Sequence, residues 1–160
     1  LAIFLTKNIK QMNSIQKPTT AFIGASWAAL SIGVIGFIIG LWRADFTLSE
    51  KGYYFTILLF GLFAVISVQK SVRDKIENIP VTDIYYGLSW VCTIACLVLM
   101  TVGLWNADIL QSEKGFYAFA YVLSLFGAVA VQKNVRDMKW AEYLNNKNNN
   151  IIKEDSNLIN

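Results

Sequence analysis

Gly40-Leu41-Trp42-Arg43-Ala44-Asp45-Phe46-Thr47-Leu48-Ser49-Glu50-Lys51-Gly52 returns 63 positions later as Gly103-Leu104-Trp105-Asn106-Ala107-Asp108-Ile109-Leu110-Gln111-Ser112-Glu113-Lys114-Gly115. Further along, Val68-Gln69-Lys70-Ser71-Val72-Arg73-Asp74 returns as Val131-Gln132-Lys133-Asn134-Val135-Arg136-Asp137 at the same spacing. About 19 of the 48 positions from Trp27 to Asp74 are identical to their counterparts from Trp90 to Asp137, and nearly all lie at the ends of apolar runs. One unit is therefore written twice.

Working outward from the motif, Phe22–Trp42 carries no charge. At about 1.5 Å per residue, that run is long enough to cross a hydrocarbon core of about 30 Å. Tyr53–Val68 is a second uncharged run, extendable to Val72 if Lys70 snorkels. Tyr85–Trp105 and Phe116–Val131 repeat the pair. The chain is 55% hydrophobic with a mean hydropathy of +0.44, and this excess over a soluble domain sits in blocks rather than in a stripe. Backbone polar groups in lipid must be satisfied within the segment, and the runs lack two-residue alternation, so helices are predicted and a β-barrel is not. The fold class is all-α: a polytopic membrane protein with four transmembrane helices as two tandem helical hairpins.

Basic residues predict the orientation. Lys7, Lys10, Lys17, Lys70, Arg73, Lys75, Lys133, Arg136, Lys139, Lys147 and Lys153 lie in the two terminal segments and the central loop. The two hairpin loops hold only Arg43, Lys51 and Lys114. The positive-inside rule then places both termini and the central loop in the cytoplasm, and an even number of spans agrees with that by putting both termini on one side. Both hairpins enter in the same sense, which predicts a pseudo-twofold axis along the membrane normal. The expected segments are a cytoplasmic lead at 1–20, a first two-helix repeat at 21–74, a cytoplasmic linker at 75–84, a second two-helix repeat at 85–137 and a cytoplasmic tail at 138–160. The tail beyond Leu144, rich in asparagine and lysine, is expected to be disordered. Met12 is a candidate start, so residues 1–11 take no part in the functional reading.

The candidate sites fall at the two membrane boundaries. In the outer hairpin motif, Trp42 and Trp105 end their spans at the level where an indole prefers to sit. Asp45, Glu50, Lys51 and their copies Asp108, Glu113 and Lys114 form a small charged set. Ser49 and Ser112 are expected at helix N-caps, with Glu50 and Glu113 in the first turn and Gly52 and Gly115 packing against a partner helix. At the opposite boundary Lys70, Arg73, Lys133 and Arg136 are candidate contacts for lipid phosphate, and Lys70 and Asp74 are i,i+4 neighbours. Within the spans, Ala29, Gly33, Gly36 and Gly40 offer a thin face for close helix packing, as do Ser124, Gly127, Ala128 and Ala130. Cys92 and Cys96, one turn apart, are expected to pack rather than to bind metal.

The chain has no histidine, and none of the four apolar runs contains an ionisable Asp, Glu, Lys or Arg. No catalytic site, cofactor site or metal site is predicted, and a coupled exporter lacks the intramembrane charge it would use. The net charge of +3 is too small, and too confined to segment ends, for a nucleic-acid partner. The leading expectation is a non-enzymatic membrane protein, structural or accessory, whose partners are the lipid bilayer, a second copy of itself or another membrane protein. The alternative is a small oligomeric transporter or channel with hydroxyls such as Ser26, Thr93 and Ser124 along a path.

The chain resembles the YiaA/YiaB family of small bacterial inner-membrane proteins over roughly Phe22 to Asp137. The pieces that carry the resemblance are Gly40-Leu41-Trp42, Glu50-Lys51-Gly52-Tyr53-Tyr54, Ile84-Tyr85-Tyr86 and Phe126-Gly127-Ala128-Val129-Ala130-Val131-Gln132-Lys133-Asn134. Arg43 departs from the asparagine found at Asn106, which weakens any role needing both copies alike. The resemblance implies an inner-membrane location and a two-helix unit present twice; it supplies no activity.

Overall fold

A computed structural model describes residues 17–158, with the backbone alone at 148 and at 151–158. The lead at 1–16, including Lys7, Lys10 and Met12, lies outside the described residues. Four α-helices follow one another: α1 (Thr20–Arg43), α2 (Leu48–Ile76), α3 (Asp83–Asn106) and α4 (Gln111–Leu158). All four are long and apolar enough to cross a membrane, and no strand occurs among the described residues. The helices overrun the apolar segments at both ends, so the linker read at 75–84 narrows to 77–82.

Helix starts and stops follow local chemistry. The Thr19 hydroxyl accepts the Phe22 N–H (3.3 Å), and its repeat counterpart Thr82 caps α3 by accepting from Tyr85 (3.4 Å). At the end of α2, Asn78 takes the left-handed conformation (φ 57°). There the Ile79 N–H donates to the Asp74 carbonyl (2.8 Å) and the Asn78 N–H to the Lys75 carbonyl (3.2 Å). This is a complete Schellman cap, and Pro80 bars any continuation.

The second repeat has Ala141-Glu142-Tyr143 where the first has Asn78-Ile79-Pro80. With no stop signal, α4 runs on through Leu158. The tail expected to be disordered is thus helical as far as Leu158. Extending an existing helix requires no new nucleus, which is the costly step, so weakly helical asparagines suffice.

Residues 24–132 form one compact body, and residues 17–23 and 133–158 belong to a second unit. In the second unit, Lys133 and Arg136 approach Asp137 (4.0 and 3.0 Å), and Trp140 stacks on Tyr143 with ring centroids 5.5 Å apart.

Within the first body, the first helix of each repeat lies against the second helix of the other. A Cβ on Gly40 of α1 would come within 2.7 Å of Phe116 and 3.2 Å of Tyr117 on α4. One on Gly103 of α3 would come within 2.7 Å of Tyr53 and 3.2 Å of Tyr54 on α2. These contacts match position for position under the 63-residue shift. Tyr54 and Tyr117, themselves repeat counterparts, stack on one another (6.4 Å, 13° between planes). A residue touching its own copy marks a pseudo-twofold axis passing between them. Around it lie Phe37, Leu41, Ile57, Leu58, Met100, Leu104, Ala120, Tyr121 and Leu125, all buried.

Thin faces set the α1–α4 approach. At Gly33 a Cβ would lie 2.6 Å from the Ser124 backbone nitrogen, and at Gly127 one would lie 2.5 Å from the Leu30 nitrogen. Gly36 meets only Phe116, at an ordinary 3.8 Å, so it contributes less than Gly33 and Gly40. Gly52 and Gly115 have nothing within 4 Å, which corrects the expectation that they pack against a partner helix.

Candidate functional site

The hairpin ends hold the charged motif, and its residues are largely taken up in building the turns. The cap of α2 is Thr47, not Ser49: its hydroxyl accepts the Glu50 N–H (3.3 Å), and the Glu50 carboxylate accepts the Thr47 N–H (2.8 Å). Thr47-Leu48-Ser49-Glu50 is the sequence form of a capping box, a signal that sequence reasoning passed over. Hydrogen bonds from the Thr47 hydroxyl and then from its backbone N–H hold the exposed Glu50 carboxyl below the usual carboxylate range. The box is therefore complete above the ordinary value and is lost as pH falls through the lowered one.

The second copy has Leu110 where the first has Thr47, so only half of this arrangement survives. The Glu113 carboxylate accepts the Leu110 N–H (2.9 Å), and Ser112 is inside the first turn rather than at the cap.

Both lysines act alike. Lys51 Nζ donates to the Trp42 carbonyl and Lys114 Nζ to the Trp105 carbonyl, each at 3.1 Å. Each ammonium thus satisfies an orphan carbonyl at the end of the preceding helix and opposes its negative pole. The indoles of Trp42 and Trp105 stand 82% and 83% exposed, as belt residues would. Asp45 and Asp108 are also exposed, with no ion pair among the described residues.

Two cavities open at this end. One of about 270 Å³ is lined by Gly40, Arg43, Ala44, Ser112, Glu113, Phe116 and Tyr117. The other, about 540 Å³, lies between α3 and α4 against Trp105 and Lys114.

The basic residues read as phosphate contacts separate into two kinds. Arg73 pairs through Nε with Glu77, and Arg136 with Asp137, so both guanidiniums already hold carboxylates. Lys70 is exposed and makes no ion pair with Asp74, whereas its counterpart Lys133 does reach Asp137. Lys75, not singled out from sequence, pairs with Asp83 (3.2 Å) and sits 4.0 Å over the Tyr86 ring.

Polar groups inside the body mostly bond the helices to one another or to themselves. Tyr53 donates to the Leu99 carbonyl (2.7 Å), and Gln69 Nε2 to the Val129 carbonyl (3.1 Å). Ser71 and Ser89 hydroxyls meet at 3.2 Å. Of the proposed path hydroxyls, Thr93 donates to Ser89 (2.9 Å) and Ser124 to Ala120 (2.7 Å), each one turn back on its own helix. Ser26 is buried.

The sequence model of the yiaA/B two helix domain matches the chain twice, at residues 22–74 and 85–137. The chain is 54% identical over 125 residues to Inner membrane protein YiaA of Escherichia coli K12, covering 78% of this chain and 86% of that one. It is 26% identical over 99 residues to Inner membrane protein YiaB of the same organism, covering 60% of this chain and 81% of the relative. With Uncharacterized membrane protein YubF of Bacillus subtilis 168, identity is 36% over 64 residues, 39% of this chain and 74% of the relative. No solved structure matches. With both two-helix repeats matched end to end and the hairpin motifs placed at equivalent turns, the chain belongs to the yiaA/B family of membrane proteins.

Proposed function

We propose that this protein is a non-enzymatic, multi-pass component of the bacterial inner membrane that works through contacts of its outer surface with lipid, with other membrane proteins or with a second copy of itself. The observation that carries this reading is the filled axis. Where a transport path would run, Tyr54 and Tyr117 stack on each other, Phe37 packs edge-on against Tyr117 (5.6 Å), and Leu58 and Tyr121 are buried. The repeated carboxylates Glu50 and Glu113 hold backbone N–H groups at helix starts, which leaves them poorly placed to carry protons. The inner-membrane assignment draws on the names of the Escherichia coli relatives. Lys70, exposed and making no ion pair with Asp74 while the neighbouring Arg73 holds Glu77, is the better candidate for lipid phosphate at the linker end.

Purified protein in liposomes is expected to give no proton- or ion-driven flux above protein-free vesicles. A reproducible flux that disappears in Asp45→Asn or Glu113→Gln would replace this reading with the transporter. The basic residues further support cytoplasmic termini and linker. Reporter fusions after Asp45 and after Asn145 are expected on opposite faces of the membrane, the second inside. Both on one face, or the second outside, would reject that orientation.

A further inference from the structure

The 540 Å³ cavity is lined by Thr101, Leu104, Trp105, Gln111, Lys114, Gly115 and Ala118. Its size falls within the range of about 300–1,000 Å³ common to ligand sites. The internal repeat supplies a control for whether such a groove is a by-product of the hairpin. The first hairpin keeps the framework unchanged, with Leu41, Trp42, Lys51 and Gly52 at the equivalent positions. It differs at the other three: Ile38 replaces Thr101, Leu48 replaces Gln111 and Phe55 replaces Ala118. Every difference makes the second copy smaller or more polar. The change from phenylalanine to alanine alone removes a ring from the wall.

The charges in and around the groove point one way. Lys114 is half-buried and uses one of its three donors on the Trp105 carbonyl. No carboxylate lines the groove. Glu113 faces the Leu110 N–H and lines the other cavity, and Asp108 makes no ion pair among the described residues. The groove thus offers an uncompensated cation at one place and apolar wall from Leu104, Trp105 and Ala118 elsewhere. Both helices that form it are long and apolar enough to cross a membrane, and Trp105 ends its apolar run, the position at which an indole favours the headgroup level.

We infer that the groove between α3 and α4 binds an anionic phospholipid of the leaflet at the hairpin end, its phosphate on Lys114 and an acyl chain along Leu104, Gly115 and Ala118. A zwitterionic lipid fits less well, because its ammonium finds no carboxylate. This site rests on the reading of the protein as a component that works through its lipid contacts; flux measurements test that reading and lipid retention tests this site, so either can fail alone.

The experiment is native mass spectrometry of the full chain in detergent, titrated with phosphatidylglycerol and, separately, phosphatidylcholine. One phosphatidylglycerol is expected to be held about five-fold more tightly than phosphatidylcholine, the preference that one near-surface lysine supplies. Lys114→Gln is expected to remove that preference, and Ala118→Phe to remove the bound lipid. Lys51→Gln, which breaks the same helix-end bond in the first repeat, is expected to leave retention unchanged. If Ala118→Phe does not fold, Thr101→Ile fills the groove from the opposite wall and is read the same way. Undiminished retention in the filled groove, no preference in the wild type, or an equal loss in Lys51→Gln would overturn the assignment. Displacement of the lipid by millimolar inorganic phosphate would also overturn it, in favour of a free-phosphate site.

Discussion

Gly33→Ala is expected to lower the unfolding midpoint in detergent clearly, whereas Gly52→Ala, the same change one helix later, is expected to leave it level or raise it. The new methyl at Gly33 would lie 2.6 Å from both the backbone nitrogen and the hydroxyl of Ser124, and 3.0 Å from the Ala120 carbonyl. None of the backbone atoms can rotate away, so α1 and α4 must separate along their contact. Overpacking of this kind costs about 1–3 kcal/mol. At Gly52 the methyl meets nothing within 4 Å, and only the helical preference for alanine remains, worth up to about 1 kcal/mol in its favour. Thermal or denaturant unfolding of the two variants beside the wild type decides the matter. Equal midpoints for both variants would mean that α1 and α4 do not meet at Gly33.

Tyr121→Ala is the larger loss. Tyr121 is buried on α4 with its ring 6.2 Å from Phe37 of α1, and its hydroxyl fills the space a side chain at Gly61 of α2 would need. One side chain thus joins three helices. Removing a buried ring costs about 3–5 kcal/mol in water-soluble cores. Lipid is as apolar as the interior, so the transfer part of that cost falls away and the lost dispersion contacts remain. The lower end, about 3 kcal/mol, is expected here. Gly61→Ala should be destabilising through the opposite fault, a methyl that collides with the Tyr121 hydroxyl, and combining it with Tyr121→Ala should cost less than the two losses added together. Strict additivity in that double-mutant cycle would contradict the contact.

The hairpin residues illustrate how a repeated motif can look chemical and prove architectural. Lys51 and Lys114 recur because each bonds the carbonyl of the tryptophan nine residues before it. Glu50 and Glu113 recur because each accepts a backbone N–H at a helix start. That was legible from the chemistry of helix ends, as was the box at Thr47. The lysine bond was not, because it joins the end of one helix to the start of the next across a turn whose path no local rule specifies. The groove beside Lys114 needed both sources: the structure shows the space, and only the comparison of Ala118 with Phe55 says that the first hairpin is walled differently.

The number of helices, their boundaries with water and their twofold repetition follow from the order of residues alone, because uncharged runs of this length have one stable form in lipid. The extra length of α4 was also open to a sequence reading, since Asn78 and Pro80 have no counterparts at Ala141 and Tyr143. Which helices touch was not. In a soluble helix the buried face shows as an apolar stripe, but these helices are apolar on all sides. Phe37 and Leu58 are buried while Ile35 and Phe63 are exposed, and nothing in their chemistry tells them apart. Water does not drive the helices together inside a membrane, so shape decides the pairing. Tertiary packing alone therefore determined that α1 lies against α4 and α2 against α3, each repeat completed by the other.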